Sequence, residues 1–134
     1  MRPRSHRFAP RVIAQAPADF DRWVKGQLNP ALPPVDPIVM ARLTGTCFAC
    51  HNISGVPGDQ GSIVAPDLTH FASRTSFAGS MFDMTPENIA AWLRDPPGVK
   101  PGIPIGQPYG TMMPNYHLSQ AEIDALVAYL RSLT

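Results

Sequence analysis

The segment Cys47-Phe48-Ala49-Cys50-His51 decides how this chain of 134 residues is interpreted. Its two cysteines are the only ones in the sequence, and a histidine follows the second directly. This C-x-x-C-H order is the attachment sequence of a c-type haem. Each thiol adds to one haem vinyl group, and a two-residue spacer on a helical turn matches the separation of the vinyl groups. We expect His51 to be an axial ligand of the iron.

Two other chemistries use closely spaced cysteines. A zinc knuckle needs a second pair of ligands, and the chain has no further cysteine. A thioredoxin-like pair opens a helix after a strand in a βαβ unit, and no such pattern surrounds Cys47. The motif therefore favours one covalently bound haem c per chain.

A second axial ligand must come from the residues that follow. The soft or nitrogen donors downstream are His70, Met81, Met84, Met112, Met113 and His117. Met113 precedes Pro114 in a loop rich in glycine and proline, and a stiff loop of this kind presents a thioether to the iron. Met112 is interpreted as core-filling sulfur. His117 is the main alternative to Met113, and it predicts a lower reduction potential.

Composition excludes several classes of protein. The chain has 16 prolines and 10 glycines, its charged residues amount to 16%, and its formal net charge is +1. No apolar run is long enough to span a bilayer, and the near-neutral charge argues against a nucleic-acid partner. The arginine-rich start has no apolar segment typical of an export signal. We expect membrane attachment, if any, only through polypeptide outside this sequence.

Helix signals divide the chain into two parts. Apolar residues recur at helical spacing over residues 19–28 and predict a short helix. The next nine residues contain four prolines and predict a stiff extended linker. We therefore predict an extension over residues 1–37 and a main domain over residues 38–134. Residues 38–45 predict a helix that leads into Cys47.

The rest of the main domain alternates loops and capped helices. Residues 52–84 predict loops with one short turn, and no strand. Thr85-Pro86-Glu87 predicts the start of a helix that ends at Asp95, before two prolines. Residues 96–114 hold six prolines and four glycines and predict no regular structure. Ser119 and Glu122 form a capping box that opens a final amphipathic helix.

The order of these features resembles a class I cytochrome c. Residues 45–134 match, in order, its haem motif, proline loop, methionine-proline loop and closing helix. Four segments are similar to the cytochrome c domain fused to subunit II of caa-type cytochrome c oxidases: residues 65–70, 72–74, 85–96 and 99–102. Residues 11–15 and 19–23 resemble the last strand and tail of the binuclear copper domain in that subunit. The paired cysteines that bind copper there are missing here.

The resemblance implies an all-α fold of about four to five helices around a covalently bound haem. It also implies an N-terminal extension with a short helix and a possible strand. The Pro66 carbonyl would accept a hydrogen bond from the unligated nitrogen of His51. Arg74 and Trp92 would bind the haem propionates. The alternatives are a solvated loop arginine for Arg74 and a core aromatic residue for Trp92. Tyr109 and Tyr116 flank the methionine loop and would help to close the pocket, with core packing as the simpler alternative.

The function implied by the resemblance is electron transfer without catalysis by this domain alone. The domain would accept electrons from a soluble or membrane-bound redox protein and pass them to the copper centre of its own oxidase. It would face the periplasm or the equivalent exterior space of a bacterial inner membrane. Two alternatives remain: a free-standing periplasmic shuttle, and a haem-based sensor or peroxidase-like enzyme in which Met113 is not bound to iron.

Overall fold

Four of the five helices in the described residues begin at a proline. The structure, a computed structural model, describes residues 12–103 and 112–134. The helices in these residues are α1 (Pro17–Gln27), α2 (Pro37–Gly45), α3 (Pro86–Arg94), α4 (Pro96–Val99) and α5 (Gln120–Leu130). The first four have proline in their first turn, where its missing N–H leaves no helical hydrogen bond unmade.

Three of these helices enclose the hydrophobic core. α5 contacts both α2 and α3. Each of the three contributes side chains that are nearly inaccessible to solvent, and together they form one cluster: Val39, Leu43, Ile89, Leu93, Ile123, Leu126, Tyr129 and Leu130. At the rim of this contact, the Arg42 guanidinium lies 2.5 Å from the Glu122 carboxylate. The arrangement is the mostly helical one predicted from the sequence.

The predicted linker lies against the main domain. The Ala31 N–H donates to the Ser54 carbonyl at 2.7 Å, and the Tyr129 hydroxyl donates to the Leu32 carbonyl at 3.0 Å. α1, by contrast, has no buried residue. Its Phe20 and Trp23 rings stack with centroids 5.8 Å apart and remain about half exposed.

Local capping explains where the predicted helices begin. The Thr85 hydroxyl accepts a hydrogen bond from the Asn88 N–H at 3.2 Å, as the N-cap of α3. Ser119 and Glu122 form the predicted capping box at the start of α5. The helices predicted over residues 19–28 and 38–45 are also confirmed, within one or two residues at each end.

Two predictions within the main domain are wrong in detail. The expectation of no strand there overlooks the antiparallel hairpin of β1 (Ser76–Phe77) and β2 (Phe82–Asp83). Two-residue strands are too short to show the alternating pattern that identifies a strand. The expectation of no regular structure after residue 95 overlooks α4, a single turn closed by the Lys100 N–H and the Pro96 carbonyl at 2.9 Å.

The possible strand near the N-terminus does not form in residues 12–16, where Val12 and Ile13 are 92% and 65% exposed. A strand needs a neighbour to satisfy its backbone hydrogen bonds, and these residues have none in the described structure. No helix among the described residues has the length and hydrophobicity needed to cross a membrane.

We predict that Thr85→Ala lowers the free energy of unfolding by about 1 kcal/mol, because it removes the N-cap of α3. Thr75→Ala is the control, since Thr75 is exposed and lies outside the helices. Chemical denaturation of the haem-loaded protein measures both. Equal stability of the two variants would contradict the capping role.

Candidate functional site

The cysteine pair and His51 lie on one turn that continues from α2. A 3-10 turn spans Cys47–Ala49, and the N–H groups of Cys50 and His51 donate to the Cys47 carbonyl at 3.1 and 2.9 Å. Phe48 in this turn is only 3% exposed, and Cys47 packs against the same core. The core therefore holds all three residues of the motif in one short segment.

The two cysteine thiols lie in a partly buried environment. Both cysteines are free and half-buried. Burial raises the pKa of Cys47, although a hydrogen bond with Thr46 and the charge of Arg42 oppose the rise. The described residues also contain no cluster of three or more His, Cys, Asp and Glu side chains suited to zinc.

The Pro66 carbonyl fixes the imidazole of His51. Nδ1 of His51 lies 2.7 Å from the Pro66 oxygen. Because a carbonyl only accepts, Nδ1 carries the proton and Nε2 keeps its lone pair. Burial lowers the pKa of His51, so the ring is neutral at neutral pH. A neutral imidazole with its second nitrogen held is the form that ligates a metal.

The loop around Pro66 is tied to the residues just after the cysteine motif. The Ala65 N–H donates to the Cys50 carbonyl at 2.9 Å, and the Leu68 N–H donates to the Asn52 carbonyl at 2.8 Å. These two bonds lie on either side of Pro66. They hold its carbonyl where the imidazole meets it.

Asp67 is a supporting residue that the sequence analysis missed. Its carboxylate accepts hydrogen bonds from the Thr69 N–H at 2.7 Å and from the Asn52 side-chain amide. Burial acts to raise the pKa of Asp67, but the hydrogen bonds from Thr69 and Asn52 outweigh it and the pKa is lowered. The Asp-x-Thr spacing of an Asx turn was the local signal for this role.

Arg74 lies on the same side of the site as His51. Its guanidinium donates to the Asp67 backbone carbonyl and lies 5.9 Å from the centre of the Phe71 ring. The side chain is exposed. A guanidinium has five N–H donors, so this contact leaves others for a carboxylate. The binding of a haem propionate by Arg74 stays a prediction.

Met113 and Trp92 contact each other where both pack against the hydrophobic core. Met113 is half-buried against the core, and the indole Nε1 of Trp92 lies 3.2 Å from its sulfur. The indole is itself packed edge-on against Phe77 and Phe82, with ring centroids 5.9 and 6.1 Å away. The sequence analysis assigned Trp92 to a haem propionate, whereas its donor in the structure points to the thioether.

The segment around Met113 is pinned at both ends. The Met112 N–H donates to the Ile103 carbonyl at 3.1 Å, and the Asn115 side-chain amide donates to the Asp95 carboxylate at 3.0 Å. His117, the alternative ligand, is exposed and has a positive φ of 50°. Another donor, His70, directs Nδ1 at the Thr134 carbonyl at 3.0 Å.

Tyr116 lies three residues after Met113 and is half-buried. Burial raises the pKa of Tyr116, and electrostatic interaction with the Cys50 and Cys47 thiols raises it further. Tyr109, the other tyrosine predicted to close the pocket, lies outside the described residues.

The chemistry of these donors fits haem. One turn presents two thiols and a neutral imidazole with a free Nε2, and the Met113 loop, which packs against the same core as Cys47, presents a thioether. A thioether sulfur has two lone pairs, so the indole contact leaves one of them for iron. Histidine with methionine is an axial pair of c-type cytochromes.

Comparison with known proteins identifies the class. The family model for cytochrome c matches residues 41–134. The chain therefore belongs to the cytochrome c family and is a haem-binding protein, as the sequence analysis predicted. Its helical fold is that of a class I cytochrome c.

Three relatives of this chain share one name, cytochrome c oxidase subunit 2. The protein of Bacillus sp. (strain PS3) is 36% identical over 137 residues, which cover 96% of this chain and 36% of the relative. That of Alkalihalophilus pseudofirmus is 30% identical over 92% of this chain and 34% of the relative. That of Bacillus subtilis is 36% identical over 65% of this chain and 23% of the relative. The chain thus spans about a third, or less, of these relatives.

We predict that Asp67→Ala loosens the loop that carries Pro66. Hydrogen bonds to a charged acceptor contribute about 1.5–3 kcal/mol, so the Thr69 amide should exchange with solvent roughly tenfold faster or more. Hydrogen exchange of the haem-loaded protein measures this. Asp59→Ala is the matched control, because the Asp59 carboxylate accepts from the Gly61 N–H, at 3.1 Å, in a similar turn that does not include Thr69. Unchanged exchange at Thr69 in Asp67→Ala would contradict the assignment.

Proposed function

We propose that this chain is a one-electron carrier with one haem c, attached through Cys47 and Cys50 and ligated by His51 and Met113. The observation that carries the proposal is the bond between His51 Nδ1 and the Pro66 carbonyl, which commits the imidazole to ligation through Nε2. With a thioether on the other face, the iron has no open position for a substrate. Such a centre transfers electrons and does not catalyse substrate chemistry.

Residues of this chain would hold the haem and form its surroundings. Bound haem supplies a one-electron iron couple. Cys47 and Cys50 would hold the haem through thioether bonds to its two vinyl groups. Met113 favours a higher reduction potential than a second histidine would. Arg74, beside His51, is the proposed partner of a propionate.

The partners are proposed from the relatives. Because these are oxidase subunits, we propose that the domain receives electrons from a redox protein and delivers them to the copper centre of its own oxidase. The complex would place it at the periplasmic or extracytoplasmic face of the membrane. The exposed Phe20, Trp23 and Val24 of α1 support packing of this helix, within the extension predicted over residues 1–37, against another part of a longer subunit.

A free-standing shuttle is the alternative of the same chemical class. It differs in having no copper domain on the same polypeptide. Sequencing the complete reading frame around this chain distinguishes the two. A continuous frame that encodes membrane helices and a copper domain before residue 1 supports the oxidase proposal, and its absence supports the shuttle.

The proposed docking face carries little charge. Residues 45–66 and 96–118, which contain the candidate haem-binding segments, include only Asp59 and Lys100 as charged groups. The Lys100 ammonium donates to the Ala78 carbonyl at 2.7 Å, which holds this single positive charge at the β1–β2 turn. Ile63 in the first segment is 95% exposed. Long-range electrostatic steering is weak on such a surface.

We predict that electron transfer from the physiological donor depends little on ionic strength. Stopped-flow reduction at increasing salt concentration measures this dependence. A steep fall in rate between low and moderate salt would show that flanking charges, such as Arg74 or Arg94, frame the docking face.

The ligation is tested by the visible spectrum. We predict that the oxidised protein shows the weak far-red charge-transfer band of thioether-ligated haem and that the reduced protein does not bind carbon monoxide. Met113→Ala should lose the band and bind carbon monoxide, because it removes the sulfur. Met112→Ala and His117→Ala are the matched controls and should keep the band. A wild-type protein that lacks the band and binds carbon monoxide would instead support the sensor or peroxidase alternative.

A further inference from the structure

Residues 30–32, which we call the strap, lie across two separate parts of the domain. The Ala31 N–H donates to the Ser54 carbonyl at 2.7 Å, and the Leu32 carbonyl accepts from the Tyr129 hydroxyl of α5 at 3.0 Å. The strap ends before residue 41, where the match to the cytochrome c family begins. Its own residues therefore lie outside the part of the chain that matches the family.

Gly55 shows how closely the strap approaches the domain. A Cβ atom on Gly55 would lie 2.6 Å from the Pro30 Cβ and 2.7 Å from the Ala31 carbonyl oxygen, too near for any side chain. Gly55 also has a φ of +93°, a conformation that residues with a side chain rarely adopt. Ala31 packs against the core, and Tyr129 is 9% exposed. The backbone of the strap is thus packed directly onto the backbone of the domain.

A continuous series of hydrogen bonds leads from the strap to the loop that holds His51. Ser54, whose carbonyl accepts from the strap, donates its own N–H to the Thr69 hydroxyl at 2.9 Å. The Thr69 N–H donates to the Asp67 carboxylate at 2.7 Å. Asp67 directly follows Pro66, whose carbonyl accepts from His51 Nδ1. Thr69 is only 6% exposed, so its hydrogen bonds are largely shielded from competition with water.

We propose that the strap is a positioning element for His51, because it fixes the loop at Ser54 and, through Thr69, the Pro66 carbonyl. The proposal rests on the proposed ligation of iron by His51. Tyr129 anchors the strap to α5, so the loop takes its position from the helical core as well as from its own hydrogen bonds. Because the strap follows α1 after two residues, the position of α1 is coupled to that of the axial ligand.

The test removes the Tyr129 hydroxyl and measures the distant hydrogen bonds. Tyr129→Phe keeps the ring and loses the one donor of that side chain, so one end of the strap is released. Exchange of labile protons with solvent is followed by NMR in the reduced, haem-loaded protein. Exchange should be about three- to tenfold faster at the Ala31 and Thr69 amides and at His51 Nδ1–H, because the loss of one hydrogen bond favours local opening by this factor.

Ile123→Val is the matched control on the same helix. Ile123 is 1% exposed, and the shorter side chain lowers global stability without removing a hydrogen bond. In Ile123→Val, exchange at His51 Nδ1–H should change no more than exchange at the core amides of α5. In Tyr129→Phe it should change more than at those amides, which a purely structural role of the hydroxyl would not produce.

A second pair of variants displaces the strap and keeps the hydroxyl. Gly55→Ala places a methyl group against the strap, whereas Gly61→Ala, at a φ of +65° and with no atom within 4 Å of its Cβ, imposes backbone strain alone. Gly55→Ala should speed exchange at His51 Nδ1–H more than Gly61→Ala does.

Unchanged exchange at His51 Nδ1–H in Tyr129→Phe overturns the proposal, as does an equal change in each variant and its control. A wild-type protein whose oxidised spectrum is not that of six-coordinate, low-spin haem overturns the ligation itself. That spectrum is recorded before any variant is compared, so the two failures are distinguished.

Discussion

The hydrogen bond from His51 Nδ1 to the Pro66 carbonyl joins the two segments on which the site depends. The cysteine turn before it is held by the core, and the loop after it is held by bonds to Cys50 and Asn52. A carbonyl on a stiff loop gives the imidazole one tautomer and one orientation. Without it, the cysteines would still anchor a haem, but the ligating nitrogen would have no fixed direction.

The rest of the fold consists of packed helices and of loops that carry the proposed haem-binding residues. α2, α3 and α5 bury one another and need no cofactor to explain their contact. The loops before and after Pro66 and around Met113 have few helical or strand hydrogen bonds of their own, and their prolines keep them extended. We interpret bound haem as the group against which these loops pack. A ligand that binds only the folded state adds its binding energy to the stability of that state.

Local signals predicted what local interactions determine. Thr85 and Ser119 predicted the starts of their helices because an N-cap acts within three residues. The cysteine motif predicted the cofactor because the spacing of its residues is part of the attachment chemistry. The β1–β2 hairpin escaped prediction because its strands are two residues long. The partner of Trp92 escaped it because Met113 is 21 positions away and meets the indole only after α3 has packed on the core. Asp67 carried a local signal that was overlooked.

The dependence of the loops on haem is tested most directly by hydrogen exchange on the haem-loaded protein and on the same chain purified without haem. The account predicts that amides in the loops around Pro66 and Met113 are protected only in the loaded protein, which alone unfolds cooperatively. A haem-free chain with a cooperative thermal transition and equally protected loop amides would contradict it.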